Sequence, residues 1–287
     1  MTTDLEVVVA PGAVLGEGPC WDDRRHELLW VDIERGRVHF DALNRRERAT
    51  VDVDGPVSVV IPRAESGYVV ATRDGLAFVD DGRTAVEPFL FLEPGDETRM
   101  NDGKCDPLGR LWVGSMSTKR QPNTGSLYRV ETGRDPVRVL TGVTTSNGLG
   151  WSLDGAVMYY VDTGTGGVDV FSYDLETGEA AERGRFVDVA PEDGKPDGLT
   201  VDAEGHLWVA LWGGWAVRRY APDGALDRVL RIPAAQVTSC CFGGPDLDVL
   251  YITTAARGVQ AGEQPMAGAV FALRPDVRGL PAARFAG

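Results

Sequence analysis

The segment Trp112-Val113-Gly114 is the one on which the fold turns: an aromatic, then Val or Ile, then a small or polar residue, closing a short apolar run. The same shape stands at Trp30-Val31-Asp32, Tyr68-Val69-Val70, Tyr160-Val161-Asp162, Trp208-Val209-Ala210 and Tyr251-Ile252-Thr253. Consecutive aromatics are 38, 44, 48, 48 and 43 residues apart. Turn signals precede most copies, as in Asp22-Asp23, Asp106-Pro107-Leu108-Gly109, Leu153-Asp154-Gly155 and Asp202-Ala203-Glu204-Gly205. Another short strand follows each copy, at Arg37–Asp41, Leu76–Val79, Ser126–Val130, Asp169–Tyr173, Ala216–Tyr220 and Ala269–Leu273. Short strands recurring about every 45 residues, with no long capped helix between them, are the signature of propeller blades. Six copies predict an all-β, six-bladed β-propeller of four-stranded antiparallel blades, one domain over residues 1–287. A β-sandwich of similar strands is the alternative, and it leaves the shared place of the aromatic unexplained. The aromatic is expected on the second strand, packed between blades. Leu5–Val9 is expected as the outer strand of the last blade, where it hides a sheet edge.

Composition narrows the function classes. Acidic residues outnumber basic ones 43 to 29 in 287, a formal charge of −14. Nucleic acid and anionic membrane surfaces both reward Lys/Arg clusters, so neither is expected as a partner. No apolar run reaches the ~18 residues of a membrane helix. Met1–Val9 carries Asp4 and Glu6 and no basic segment, so no signal peptide is read. Cys20, Cys105, Cys240 and Cys241 form no C-x-x-C pair, and reduced thiols in the cytoplasm are expected. The adjacent Cys240 and Cys241 fall on an inner strand, which sends one to each face as packing residues.

The repeat also aligns a set of polar residues. Five positions before the turn that ends each innermost strand stand Glu17, Val57, Asn101, Asn147, Asp197 and Ser239. Glu17, Asn147 and Asp197 are each followed by Gly, and Asn101 opens Asn101-Asp102-Gly103. A single Asn-Gly or Asp-Gly is ordinarily a turn. Glu, Asn, Asn and Asp at one repeat position instead form a ring of oxygen donors around one axis. That donor set suits one divalent cation (Ca²⁺, Zn²⁺, Mn²⁺, Mg²⁺ or Fe²⁺) with water completing its shell. His26, His39 and His206 read as turn residues away from the ring. Loops joining second and third strands overhang the same mouth: Ser115–Gly125 as a lid, Trp212–Trp215 and Ala255–Gly268. Asp32 and Asp162 end second strands on that side, either as carboxylates that orient ligands or as turn caps.

These residues carry a resemblance. Gly16-Glu17-Gly18-Pro19, Arg99-Met100-Asn101-Asp102-Gly103-Lys104, Ser146-Asn147-Gly148-Leu149, Pro196-Asp197-Gly198 and Thr238-Ser239-Cys240-Cys241-Phe242-Gly243-Gly244 occur in order, as do Pro56-Val57-Ser58 and Asp202-Ala203-Glu204-Gly205. From about Leu5 to Gly287 the chain resembles the senescence marker protein/gluconolactonase/luciferin-regenerating enzyme family. The resemblance implies a six-bladed propeller with one divalent cation on Glu17, Asn147 and Asp197. It also implies substrate contacts from Arg99 and Asn101, and hydrolysis of sugar aldonolactones. One departure stands out: where the regucalcin-like pattern of that family has a longer lid with a Glu pair, this chain has Ser115-Met116-Ser117-Thr118-Lys119. Lys119 is therefore a candidate substrate contact, or a solvated loop charge.

A lactone is a cyclic ester, and its hydrolysis needs an activated water and relief of charge on the carbonyl oxygen. A cation can supply both. Asp197 is the candidate catalytic base, a ring carboxylate able to offer one oxygen to the metal and one to water. The expected partner is a small sugar lactone and the expected state a monomer. No G-x-S-x-G elbow is present. Gly164-Thr165-Gly166-Gly167 lacks the last glycine of a phosphate loop, and Asp52-Val53-Asp54-Gly55 lacks the spacing of a calcium loop. A broader esterase or phosphotriesterase, and a non-enzymatic cation-binding propeller, remain the alternative functions.

Overall fold

In the computed structural model, residues 5–93, 95–260 and 262–287 are described. Their strands make six four-stranded antiparallel sheets. Blades 1 to 5 each use four consecutive strands, with inner strands Gly16–Asp22, Val59–Pro62, Thr98–Cys105, Ser146–Trp151 and Lys195–Val201. Blade 6 begins at its inner strand Val237–Gly243, and its fourth strand is Glu6–Val9 from the other end of the chain, paired antiparallel with Val270–Leu273. That pairing is the expected closure; it covers an edge that would otherwise present free N–H and C=O groups.

The repeated aromatics all stand on second strands and all are buried. Six apolar clusters fill the six seams between neighbouring blades. Trp112 and Tyr160 share one seam, Trp30 and Tyr251 another, while Tyr68 and Trp208 sit in two more. The repeat thus preserves the strand but not the direction in which the ring points. A one-residue offset along a strand flips a side chain to the other face, and blades with differing turn lengths have such offsets.

The turn that ends an inner strand has a physical basis. Asp106 and Asp202 each accept two backbone N–H bonds from the following turn, and Asp22 accepts one from Arg24. An aspartate folding back on its own backbone fixes such a turn locally. Cys240 and Cys241 do lie on an inner strand and enter different clusters. The reading of His39 is corrected. It is not at a turn but within the third strand Arg37–Ala42, its ring stacked on Trp30 at 3.9 Å between centroids. Burial there pulls its pKa down to about 4.

The C-terminal segment has no counterpart in the repeat. Gly279 donates to Leu247 O, and Phe285 pairs with Pro62 and Ala64 of blade 2 through backbone bonds of 3.0 and 2.7 Å. The Phe285 ring is buried in the seam between blades 2 and 3. Between these anchors Leu280 to Ala283 line a cavity of about 290 Å³ at the channel end away from the ring, a strap across that end.

Candidate active site

Five of the six inner strands carry a β-bulge at the ring position. Pairing slips between Glu17 and Cys20, Met100 and Gly103, Ser146 and Leu149, Pro196 and Leu199, and Val237 and Ser239. In blade 2 the position falls on Val57, ahead of the inner strand Val59–Pro62, whose own pairing is regular. A bulge places two residues against one and re-aims their side chains. Here it separates sequence neighbours: Glu17 and Asn101 line one cavity, whereas Gly18 and Asp102 line the strapped one.

The glycines after the ring residues are not turn residues. A Cβ on Gly148 would stand 2.6 Å from Asp197 O, and one on Gly198 would stand 2.1 Å from Ser239 Oγ. Only glycine lets adjacent inner strands approach this closely.

Glu17, Asn101, Asn147 and Asp197 face one cavity of about 290 Å³, together with Arg99. Each of the four is less than 9% exposed. A directed chain of hydrogen bonds joins them. Arg99 Nη1 donates to Asn101 Oδ1 at 2.8 Å, and Asn101 Nδ2 donates to Asn147 Oδ1 at 2.9 Å and to Ser146 O at 2.7 Å. Asn147 Nδ2 donates to Thr163 Oγ1 at 2.7 Å, which donates to Pro196 O at 2.8 Å. Asn147 therefore turns its oxygen, not its nitrogen, toward Asn101, with a lone pair left to give. Asn101 has both amide protons engaged within the protein, so it acts first as the group that positions Asn147.

The two carboxylates are in the opposite condition. Among the described residues neither Glu17 nor Asp197 has a cationic group within salt-bridge distance; Glu17 accepts only from Gly18 N at 2.9 Å. Burial and the nearby Asp102 push Glu17 up to about 8. Burial, Glu17 and Asp102 hold Asp197 well above the usual carboxylate range. Asp102 is itself raised by burial. Buried like charges without a counter-ion are costly, and a divalent cation is the group that relieves them. No three His, Cys, Asp or Glu side chains gather into a cage among the described residues. The donors that fit are two carboxylates and one oriented amide, leaving positions for water or substrate, as hard cations accept.

Asp32 and Asp162 are caps. Asp32 accepts from Val14 N and Leu15 N, and Asp162 from Thr144 N, Thr145 N and Gly164 N. Each pins the backbone just before a ring residue, so the cap also fixes where Glu17 or Asn147 starts.

Residues 15–256 match the family described as SMP-30/Gluconolactonase/LRE-like region. The chain belongs to that family. It is 36% identical to regucalcin of Danio rerio, with 99% of this chain and 98% of that one covered. It is 35% identical to the putative sugar lactone lactonase YvrE of Bacillus subtilis, with 96% of each covered. A crystal structure of a calcium-binding protein, regucalcin, from Agrobacterium tumefaciens superposes with a TM-score of 0.94 at 28% identity, covering 99% of this chain and 97% of that one.

The overhanging loops contribute as expected in kind but not residue by residue. Lys119 is exposed and does not line the cavity; its neighbour Arg120 does. Trp212 and Arg257 enter from the two other loops, and Lys195 from the start of an inner strand. Thr163, which lines the cavity, and Asp102, which lines the strapped cavity and acts on Glu17 and Asp197 through its charge, are not singled out by sequence reasoning. Each adjoins a residue that is, Asp162 and Asn101, and only the bulge and the hydrogen bonds assign it a part.

Proposed function

We propose that this protein hydrolyses sugar aldonolactones to aldonic acids in a metal-dependent reaction. The observation that carries the reading is the uncompensated pair Glu17 and Asp197 beside the oriented Asn147, at the base of a small cavity. The family, and the YvrE relative named as a sugar lactone lactonase, support it.

In this reading Glu17, Asn147 and Asp197 hold the cation. When bound, it supplies Lewis-acid polarisation of the lactone carbonyl and lowers the pKa of water. Asp197 takes the proton of the attacking water. Among the described residues Arg99 Nε and Nη2 have no hydrogen-bond partner, which leaves them for sugar hydroxyls or the developing oxyanion. The second lone pair of Asn101 Oδ1 accepts from a hydroxyl. The bond between the carbonyl carbon and the ring oxygen breaks, Asp197 returns the proton to that oxygen, and the product leaves as an aldonic acid. The enzyme is read as a monomer in the cytoplasm, its four cysteines being free thiols.

The test is a pH-indicator assay on glucono-, galactono-, xylono- and arabinonolactones after chelation and after each metal is restored. Rates above spontaneous opening that need metal and vanish in Asp197→Ala support the reading. A second reading, cation binding without catalysis, is favoured by the calcium-binding relative. It prevails if metal binds and no lactone, aryl ester or phosphotriester turns over. Turnover of esters or phosphotriesters alone would make this a broader hydrolase.

A further inference from the structure

The mouth of the site is unlike the rest of the molecule. The chain carries a formal charge of −14, yet Arg99, Arg120, Lys195 and Arg257 all line this one cavity. Against them stand Glu17 and Asp197 at its base, and Glu34, which meets Arg257 Nε at 2.9 Å. Arg99, Arg120 and Lys195 have no carboxylate partner within 4.0 Å among the described residues. If a divalent cation neutralises the two base carboxylates, the lining holds an uncompensated excess of positive charge. A neutral sugar offers only hydroxyls, which Asn, Ser or Asp serve equally well. Guanidinium forks match carboxylate and phosphate groups, bidentate and charge-assisted.

The lid adds an independent observation. Arg120 has a left-handed backbone, φ 57°, where glycine is the unstrained choice, and its N–H closes a turn onto Ser117 O at 3.2 Å. Arginine is kept there although glycine would relieve the backbone. Arg120 and Arg257 stand on overhanging loops, not at the base where the carbonyl would react. Their charge therefore addresses a part of the substrate remote from the lactone bond. The crowding of like charges also shows in Arg99, which burial and then Arg257 pull down to about 10.

We infer that the substrate is a sugar lactone bearing a second, anionic group remote from the lactone carbonyl, held at the mouth by Arg120 and Arg257 beside Arg99. The inference rests on the lactonase reading and narrows it. A tail carboxylate and a phosphate ester share the chemistry these residues recognise.

The experiment compares kcat/KM for D-glucono-1,5-lactone, its 6-phosphate and D-glucaro-1,4-lactone, in the metal-loaded native protein and in Arg120→Gly. That variant removes the guanidinium and relieves the backbone, so it is expected to fold. Arg134→Gln, on an exposed side chain paired with Glu131 away from the cavity, is the charge control. The expected result is a preference of about tenfold or more for one charged lactone, which Arg120→Gly reduces severalfold and Arg134→Gln leaves alone. The preferred anion tells phosphate from carboxylate. If the neutral lactone is hydrolysed as well as both charged ones, the inference falls and the lactonase reading stands. If no lactone is hydrolysed, the lactonase reading falls, and titration with sorbitol 6-phosphate against sorbitol decides whether the mouth holds anions. Binding of the phosphate alone, weakened in Arg120→Gly, keeps the anion site; equal or absent binding of the two overturns it.

Discussion

Asn147 can offer oxygen to a cation only if its amide nitrogen is turned elsewhere, and the hydrogen bond to Thr163 turns it. Thr163 donates its own O–H to Pro196 O, the carbonyl of the residue before Asp197, so one hydroxyl ties two of the three candidate ligands together. Groups that orient metal ligands ordinarily matter by roughly 10- to 100-fold in metal affinity. Thr163→Val is accordingly expected to weaken Ca²⁺ binding by about one to two decades, measured by titration calorimetry, with an unchanged far-ultraviolet spectrum. Unchanged affinity would mean that the amide needs no such support. Asp197→Asn separates two parts that alanine merges: the amide keeps an oxygen donor but cannot take a proton. Retained metal binding with a loss of about 10²-fold or more in kcat is expected if Asp197 is the base.

At the scale of the element, five of the six blades are set by a turn and a bulge. Asp202 shows how much one turn residue holds. Fully buried, it accepts from Trp208 Nε1 at 2.8 Å, Arg219 Nε at 2.8 Å and two backbone N–H groups of its own turn. Arg219 is itself buried. Removing the carboxylate leaves an indole N–H without an acceptor and a buried guanidinium leaning on Glu204 and Asp227 alone. Asp202→Ala is expected to destabilise the protein by about 3–5 kcal/mol, read from denaturant midpoints. A loss under about 1 kcal/mol would show that those two partners suffice. The bulges explain why the ring residues converge while their neighbours do not; Val57 of blade 2 lies ahead of its paired strand and packs in the apolar seam between blades 1 and 2.

For the whole molecule, closure and charge dominate. Deleting residues 1–10 removes the strand Glu6–Val9 and bares the edge of Val270–Leu273. A lower melting temperature and concentration-dependent association are expected by scanning fluorimetry and size-exclusion chromatography. The strap gives a parallel test: Phe285→Ala empties a buried seat between blades 2 and 3 and is expected to cost about 3–5 kcal/mol. The ring makes stability depend on pH. Glu17 titrates at about 8 in the folded chain against 4.5 as its ordinary value, so the folded state binds the proton more tightly. Its contribution is fully present below pH 4.5 and is lost as pH rises through about 8, with Asp197 acting in the same direction. Metal-free protein should therefore melt at progressively lower temperature across that window. Added divalent cation should narrow the loss, bind more tightly as pH rises and release protons. A melting temperature flat in pH without metal would contradict the buried, uncompensated state of these carboxylates.

By itself the sequence determined the repeat and the features that periodicity dictates: six blades, the second-strand aromatics, the turn aspartates and the four ring residues at one repeat position. Each of these is a local choice made again every forty or so residues, and a local preference repeated six times is legible without coordinates. The tertiary structure alone decided whatever depends on approach between distant segments. The bulge that sends Asn101 and Asp102 to different cavities needs a partner strand to slip against. The glycines after Asn147 and Asp197 read as turn residues until a neighbouring inner strand is seen pressed against them. Thr163 gains its part only from a hydrogen bond across the blade, and Arg120 rather than Lys119 reaches the cavity because a turn rotates one residue inward and the next outward. The strap that seats Phe285 against blade 2 joins positions more than 200 apart in the chain, and no periodicity announces a segment that occurs once.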